Sequence, residues 1–582
     1  MADPQQVLAQ LVQAATVATF GPDYGDADPL IRASSFADFQ ANVALPLGKR
    51  LGRPPREVAG KLVGRLDVTD MSLEPEVSGP GFINFTLRDD WIAAQASQML
   101  DDPRLGLEPV ARPQTVVVEY SSPNLAKEMH VGHLRTTIVG DTIARVLDFA
   151  GHRVIRDNHV GDWGTQFGML IEYLHDVAEN SPEAALQRTD PNAFYQAARR
   201  EFDSDPGFAE RSRKRVVDLQ GGDPDTLRLW QDYVDLSKDY LHRIYGRLGV
   251  TLTDADIRGE SFYNDMLADT VAILEAEGLA VYSDGALCAF PPGFTGREGR
   301  PLPLIIRKSD GGYNYATTDL ATIRYRVDEL HCDRAIYVVG SDQTLHFQMV
   351  FAVARQAGWI PEGVSFEHAK IGLVLGPDGN RLRTRSGDNV QLSDLLAEAV
   401  ERARGILGEV DAAARFGPAE LDEVAEAIGI GAVTYADLST ARDSAYVFDW
   451  DRMISFRGNT GPYLQYATAR IRSIFRRAGS DADPDIRGSR VAVAAGPERA
   501  LALKLLGFGA VLTAVGEATE PHRLCAYLFD VASLFTTFYE ECPVLKAEPA
   551  ELRASRLALC ALTLRVLTEG LGLLGVPVPE RM

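Results

Sequence analysis

The chain has 582 residues, 46% hydrophobic and 24% charged, long enough for several domains that each bury a core. MADPQQVLAQ at the N-terminus lacks a basic start followed by an apolar run, and apolar stretches such as 505–516 fall short of the about 20 residues a bilayer requires. Secretion and membrane insertion are therefore not expected, a cytoplasmic location is, and a net charge of −22 means that any nucleic-acid partner must meet local basic patches.

Residues 4–19 have helical spacing, and "GFINFTL" at 81–87 reads as a strand, so residues 1–110 form a small α+β unit. Within it, "GKRLGRPPREVAGKLVGR" at 48–65 holds six basic residues and one acid. A solvated helix face after Pro54–Pro55 explains it better than a phosphate-binding patch. "DDPRLGLEPVARPQ" at 101–114 is aperiodic and reads as a linker. "TVVVEY" at 115–120 then has the β-branched, apolar look of a buried parallel strand. A turn at "SSPN", a helix from about Gly132 to Ala150 and a second strand in "HRVIRDNHVGD" follow. This β-loop-α-β order opens a doubly wound, Rossmann-like parallel sheet.

Residues 176–248 read as a charged helical insertion, and 279–318 carry short β patterns. "AIYVVGSD" at 335–342 is another buried strand, which places Gly340 to Gln343 at the carboxyl edge of the sheet, where ligands bind. From 391 the pattern is helical to the end and predicts an all-α bundle. The five cysteines (Cys288, Cys332, Cys525, Cys542, Cys560) include no C-x-x-C pair, so buried thiols are expected and structural zinc is not.

"KEMHVGHLRTT" at 127–137 is the most informative stretch. A metalloprotease helix needs two histidines four apart, H-E-x-x-H; here His130 and His133 are three apart with no third ligand nearby, so no metal is expected. Lys127, Glu128 and Arg135 make the segment too polar for an ordinary core face. After a strand and at a helix start, imidazole and backbone donors suit phosphate, and Gly132 permits close approach.

H-x-G-H in this position resembles the "HIGH" signature of class I aminoacyl-tRNA synthetases. "VEYSSPNLAKEMHVGHLRTTIVGD", "HVGDWGTQFG" at 159–168, "YNYATTDLATIRYR" at 313–326, "YLQYATARIRSI" at 463–474 and the terminal "VPVPERM" together resemble the arginyl-tRNA synthetase family, from "GPGFINFTL" to Met582. The resemblance implies three domains. These are an N-terminal domain for the tRNA elbow (1–110), a HIGH-type catalytic domain (111–390, with the insertion) and an anticodon-binding bundle (391–582). It implies formation of arginyl-adenylate from L-arginine and ATP with Mg²⁺, then transfer to the 2′-hydroxyl of the terminal adenosine of tRNA(Arg). It also implies tRNA binding before activation, and a monomer.

The family's second signature, K-M-S-K-S, is absent; "RTRSG" at 383–387 stands in its place, with Arg385 where the second lysine is expected. Family members that lack that lysine carry one just ahead of the first histidine, here Lys127. The expectation is that His130, His133, Lys127 and Arg385 are catalytic, with Arg381 either in that role or merely solvated. The resemblance implies that Glu119, Asn124, Tyr315, Asp319 and Gln343 surround arginine. Asp319 and Tyr315 take the guanidinium end, since a planar cation with five donors needs acids. For ATP it implies Gly132, Gly340, His346 and Val374. For tRNA it implies Phe82 and Asn84 at the elbow (Phe82 also reads as core) and Tyr463, Gln465, Tyr466 and Arg470 at the anticodon, of which some must be core. Polar readout of arginine makes an editing domain unnecessary. The rivals are another class I synthetase, for lysine or for cysteine, the latter disfavoured by the missing zinc pattern; a non-catalytic tRNA-binding relative, against which the intact His130–Gly132–His133 set and the arginine pocket speak; and a small-molecule nucleotidyltransferase, which would not explain the C-terminal helical domain.

Overall fold

The structure, a computed structural model, describes residues 3–177, 181–296, 299–382, 390–409, 416–479 and 488–582. Helix α1 (Pro4–Phe20) is capped by Asp3, which accepts from Gln6 N–H. It packs on an antiparallel sheet ordered β1 (Ile31–Ala33), β2 (Phe39–Ala41), β4 (Phe82–Phe85) and β3 (Glu76–Ser78). Helices α2 (Ala44–Leu51) and α3 (Pro55–Val63) divide the basic stretch at Pro54. All six of its cations are exposed; Arg50 pairs with Asp26, and Arg53 and Lys61 with Glu57. A solvated face is what forms. Helix α4 (Asp89–Asp101) leads into residues 102–114, which form neither helix nor strand.

The parallel sheet begins with β5 (Thr115–Glu119), α5 (Val131–Ala150) and β6 (Arg153–Asp157). Helices α6 (Thr165–Asp176), α7 (Pro182–Thr189), α8 (Pro191–Ser204), α9 (Pro206–Gln220) and α10 (Pro224–Leu248) form the insertion. The last four each start with Pro directly after a capping Ser181, Asp190, Asp205 or Asp223. The cap satisfies a free N–H, and proline supplies a preset φ where its own N–H is not needed.

Next come α11 (Asn264–Ala276) and an antiparallel sheet of β7 (Ala280–Ser283), β8 (Ala286–Ala289) and β9 (Leu304–Arg307). They are followed by α12 (Tyr315–Asp328), β10 (Arg334–Tyr337), α13 (Thr344–Gln356), β11 (Ser365–His368) and β12 (Val374–Leu375). The parallel sheet is ordered β11–β10–β5–β6. From β5 the chain crosses through α5 to β6 on one side, and from β10 through α13 to β11 on the other. The order therefore reverses between β5 and β10, which opens a crevice at their carboxyl ends.

Helices α14 (Leu392–Glu409) and α15 (Pro418–Leu438) come next, then α16 (Trp450–Met453), α17 (Gly461–Ala478), α18 (Gly496–Leu505), α19 (Phe508–Ala518), α20 (His522–Glu541) and α21 (Ala550–Leu573). The expectation of unbroken helix after 391 fails at β13 (Tyr446–Val447), which pairs in parallel with β12. The cause is a buried arginine. Arg135 Nε donates to Asp437 at 2.8 Å, while Nη1 donates to Gly372 O and Ser444 O. At Gly372 any Cβ would lie 2.3 Å from Ser444 O, so only glycine allows the two segments to meet. By length and composition alone, Gly496–Ala518 could cross a membrane, which the shorter stretch 505–516 did not suggest. Half of it is buried, because α18 and α19 pack on α20. All five cysteines are buried and free.

Candidate active site at the sheet switch point

The crevice is lined by Glu119 from β5, by His130, Gly132 and His133 at the start of α5, and by Tyr315 and Asp319 on α12. Gly340, Gln343 and His346 border it beyond β10, and Gly372, Val374 and Arg381 close its far side. Eleven of the residues singled out in the sequence thus share one cleft.

The two histidines form a local cap. His130 Nδ1 accepts from Gly132 N–H, and His133 Nδ1 accepts from His130 N–H, each at 3.0 Å. With Nδ1 occupied as an acceptor, each neutral ring carries its proton on Nε2 and has that donor to spare. The ring centroids are 4.0 Å apart. A Cβ on residue 132 would lie 2.8 Å from His130 Cε1, so glycine is what allows the imidazole to fold over the helix start. Burial lowers the His133 pKa to about 3, helped by His130; burial and then Lys127 lower that of His130. Both rings are therefore set to act as neutral donors near pH 7.

Lys127 does not enter the cleft. Its Nζ lies 4.8 Å from the centroid of Tyr195, toward the insertion. Asn124 borders the same apolar pocket as Lys127, with its Oδ1 accepting from Ala126 N–H. Arg385 lies outside the described residues, as does Arg383.

On α12, Tyr315 and Asp319 share a face, as their spacing requires, and Asn314 is the N-cap. His346 Nε2 is 2.5 Å from Asp319 Oδ2, and its ring meets Tyr315 edge-on. His346 thus lines the cleft with its Nε2 already engaged by the Asp319 carboxylate. Glu119 is 5% exposed. Burial raises its pKa, against the opposing pull of Arg326.

The start of α5, capped by two imidazoles, and the carboxylates of Glu119, Glu260 and Asp319 thus line one crevice at the sheet's switch point. The profile described as "tRNA synthetases class I (R), catalytic domain" matches residues 95–450. The chain belongs to the arginyl-tRNA synthetase family. The "Arginyl tRNA synthetase N terminal domain" matches residues 6–87 and the "DALR anticodon binding domain" matches 464–582. The arginine–tRNA ligase of Thermobifida fusca (strain YX) is 61% identical and covers both chains in full. That of Frankia casuarinae is 52% identical over 96% of each. Among solved structures, arginyl-tRNA synthetase from Plasmodium falciparum superposes with a TM-score of 0.85 at 29% identity, and that of Thermus thermophilus with 0.81 at 26%, each over the whole of both chains.

Sequence reasoning about this synthetase missed His159, Glu260, Asp157 and Arg326. His159 and Glu260 line the cleft. Burial pushes Glu260 up to about 7, only partly offset by His159. Asp157 carried the signal that drew attention to Glu119, an acid ending a strand. Arg326 continues the Tyr315–Asp319 face by two turns. Glu260, in a loop, carried no local signal.

The residues expected to face tRNA fare unevenly. Gln465 is fully buried, and its Nε2 donates to Ala427 O and Pro577 O, so it is a core tie and not a surface contact. Its position on α17 turns it toward α15 and the C-terminal segment, about 100° around the helix from exposed Tyr466. Tyr463 is half-buried beside Phe529, and Arg470 lies 4.4 Å from the centroid of Tyr539. In β4, the Asn84 amide is occupied by Gln40 and Ser78, which removes it from the surface; Phe82 is half-buried.

Proposed function

We propose that this arginine–tRNA ligase activates L-arginine in the cleft described above, with ATP entering as its magnesium complex. Mg²⁺ travels with the phosphates and lowers their charge. A carboxylate oxygen of arginine attacks the α-phosphorus, the bond to the bridging oxygen breaks, and pyrophosphate leaves with the electron pair. The terminal adenosine's 2′-hydroxyl of tRNA(Arg) then attacks the carbonyl carbon, its proton passing to the departing phosphate, and AMP leaves with the electron pair of the broken bond. Little covalent chemistry falls to the protein, so positioning and charge stabilisation dominate.

The assignment that carries this reading is the pair of Nε2 donors on His130 and His133, aimed at phosphate oxygens. Gly132, Gly340 and the backbone of Gly372–Val374 accommodate the nucleotide. Asp319, held by His346, takes the guanidinium with Tyr315. Glu119 takes the α-ammonium, with Gln343 and Asn124 nearby. Lys127 and Arg385 supply the charge that the missing K-M-S-K-S lysine would bring, Lys127 by swinging off Tyr195 when ATP binds. Exposed Tyr466 with Tyr463 and Arg470 faces the anticodon, and Phe82 the tRNA elbow.

Pyrophosphate exchange in the presence of tRNA(Arg) tests the reading. Arginine supports exchange and lysine does not; equal rates with both overturn the pocket assignment. Lys127→Ala lowers the exchange rate by about tenfold or more, as expected for one lost phosphate contact of about 1.5–3 kcal/mol. An unchanged rate removes Lys127 from the mechanism.

A further inference from the structure

Arg326 is a fully buried arginine that no step above uses. Its Nη2 donates to Glu119 Oε2 at 2.5 Å and to Asp157 Oδ2 at 3.0 Å. Its guanidinium lies 4.6 Å from the centroid of Tyr337, on β10. Glu119 and Asp157 are register partners at the ends of β5 and β6. One side chain from α12 therefore ties together two strand ends and rests on a third. Among the described residues, Asp157 Oδ1 and Arg326 Nε and Nη1 have no hydrogen-bond partner.

Two carboxylates and one guanidinium leave one negative charge in excess when all are ionised. A buried, unbalanced charge is unfavourable until a cation reaches it. Of the three groups, only Glu119 lines the cleft. A cation in the cleft can therefore reach this set of charges only at Glu119.

We infer that Arg326 and Asp157 are positioning residues, which together hold the Glu119 carboxylate and set its charge for the α-ammonium of arginine. The inference rests on the reading that Glu119 receives that group. The charged and titratable groups that face Glu119 are Arg326 and Asp319 on α12, Asp157 ending β6, His159 beyond it, and the phenols of Tyr337 and Tyr263. Burial raises the Glu119 pKa most, Arg326 and His159 oppose it, and Asp157 and Asp319 add to it. Only the carboxylate form attracts an ammonium, so KM for arginine falls as pH rises through that pKa. Removing the Arg326 charge moves this fall to higher pH. Neutralising Asp157 moves it to lower pH.

The test is the pH dependence of KM for arginine and for ATP in tRNA(Arg)-dependent exchange, followed over the whole range in which each protein stays folded, using full-length wild type, Arg326→Gln, Arg326→Lys, Asp157→Asn and Glu119→Gln. Arg326→Gln shifts the KM profile up by about one pH unit or more, which is about tenfold in KM at a fixed pH on the low side. Arg326→Lys restores most of the profile, Asp157→Asn shifts it down, and KM for ATP stays within about twofold of wild type, far below the effect of a lost charge partner. Shifts of Arg326→Gln and Asp157→Asn in the same direction, or no shift, overturn the inference. If Arg326→Gln does not fold, the signs for Asp157→Asn and Arg326→Lys decide. If Glu119→Gln keeps the wild-type KM for arginine, it is the parent assignment of Glu119 that has failed.

Discussion

Replacing His133 with asparagine slows arginine-dependent pyrophosphate exchange by about 10²–10³-fold, the usual effect of deleting one preorganised donor to a developing anion. Asparagine can still accept from His130 N–H and so keeps the helix start closed, but it has no donor where Nε2 was. Glutamine reaches that position with an N–H and recovers part of the rate. Stopped-turnover exchange with thermal melting in parallel separates lost chemistry from lost folding. The pH dependence carries its own sign. With its pKa near 3, His133 is neutral across pH 6 to 8, so this ring contributes no limb to the rate profile in that window. A histidine acting as a cation would lose activity as pH rose through its pKa; a neutral donor does not.

Asp319→Asn lowers kcat/KM for arginine by about 10²–10³-fold, or about 3–4 kcal/mol, as when one partner is removed from a charge pair that the bound substrate buries. Asparagine is isosteric and can still meet His346, so the change is electrostatic and not a repacking. The informative comparison is with citrulline, which has arginine's shape without its charge. Wild type discriminates strongly between the two, and Asp319→Asn narrows the gap by weakening arginine while leaving citrulline nearly unchanged. An unaltered arginine-to-citrulline ratio removes Asp319 from the guanidinium site.

Local rules made much of this site legible. Alternating signals for strand, turn and helix located β5, α5 and β6, and the reversal of sheet order then fixed where the cleft must lie. The polar residues at strand ends and on the first turn of α12 stood out because acids and amides there contradict an apolar pattern. What sequence could not reveal was long-range pairing. Arg135 and Asp437 are 302 positions apart, and their contact brings β13 back onto β12 inside a stretch that otherwise reads as helix. Arg326 likewise meets Glu119 across 207 positions. Periodicity shows that a residue faces inward, but not which element it meets there. The same limit explains Gln465. Its neighbours Tyr463, Tyr466 and Arg470 share one face of α17, while Gln465 lies on the other and is consumed by carbonyls from α15 and the C-terminal segment. Lys127 shows a different limit: its ammonium rests on an aromatic ring that belongs to the insertion, and nothing in the segment 127–137 names that partner.

The most direct test of the whole arrangement is a structure of the protein with a non-hydrolysable arginyl-adenylate analogue. The account predicts the guanidinium against Asp319 and Tyr315, the α-ammonium against Glu119, the phosphate mimic within hydrogen-bond reach of His130 and His133 Nε2, and the adenine beside the Gly372–Val374 backbone. An analogue bound in the opposite sense, with its guanidinium at the His130–His133 helix start, contradicts it.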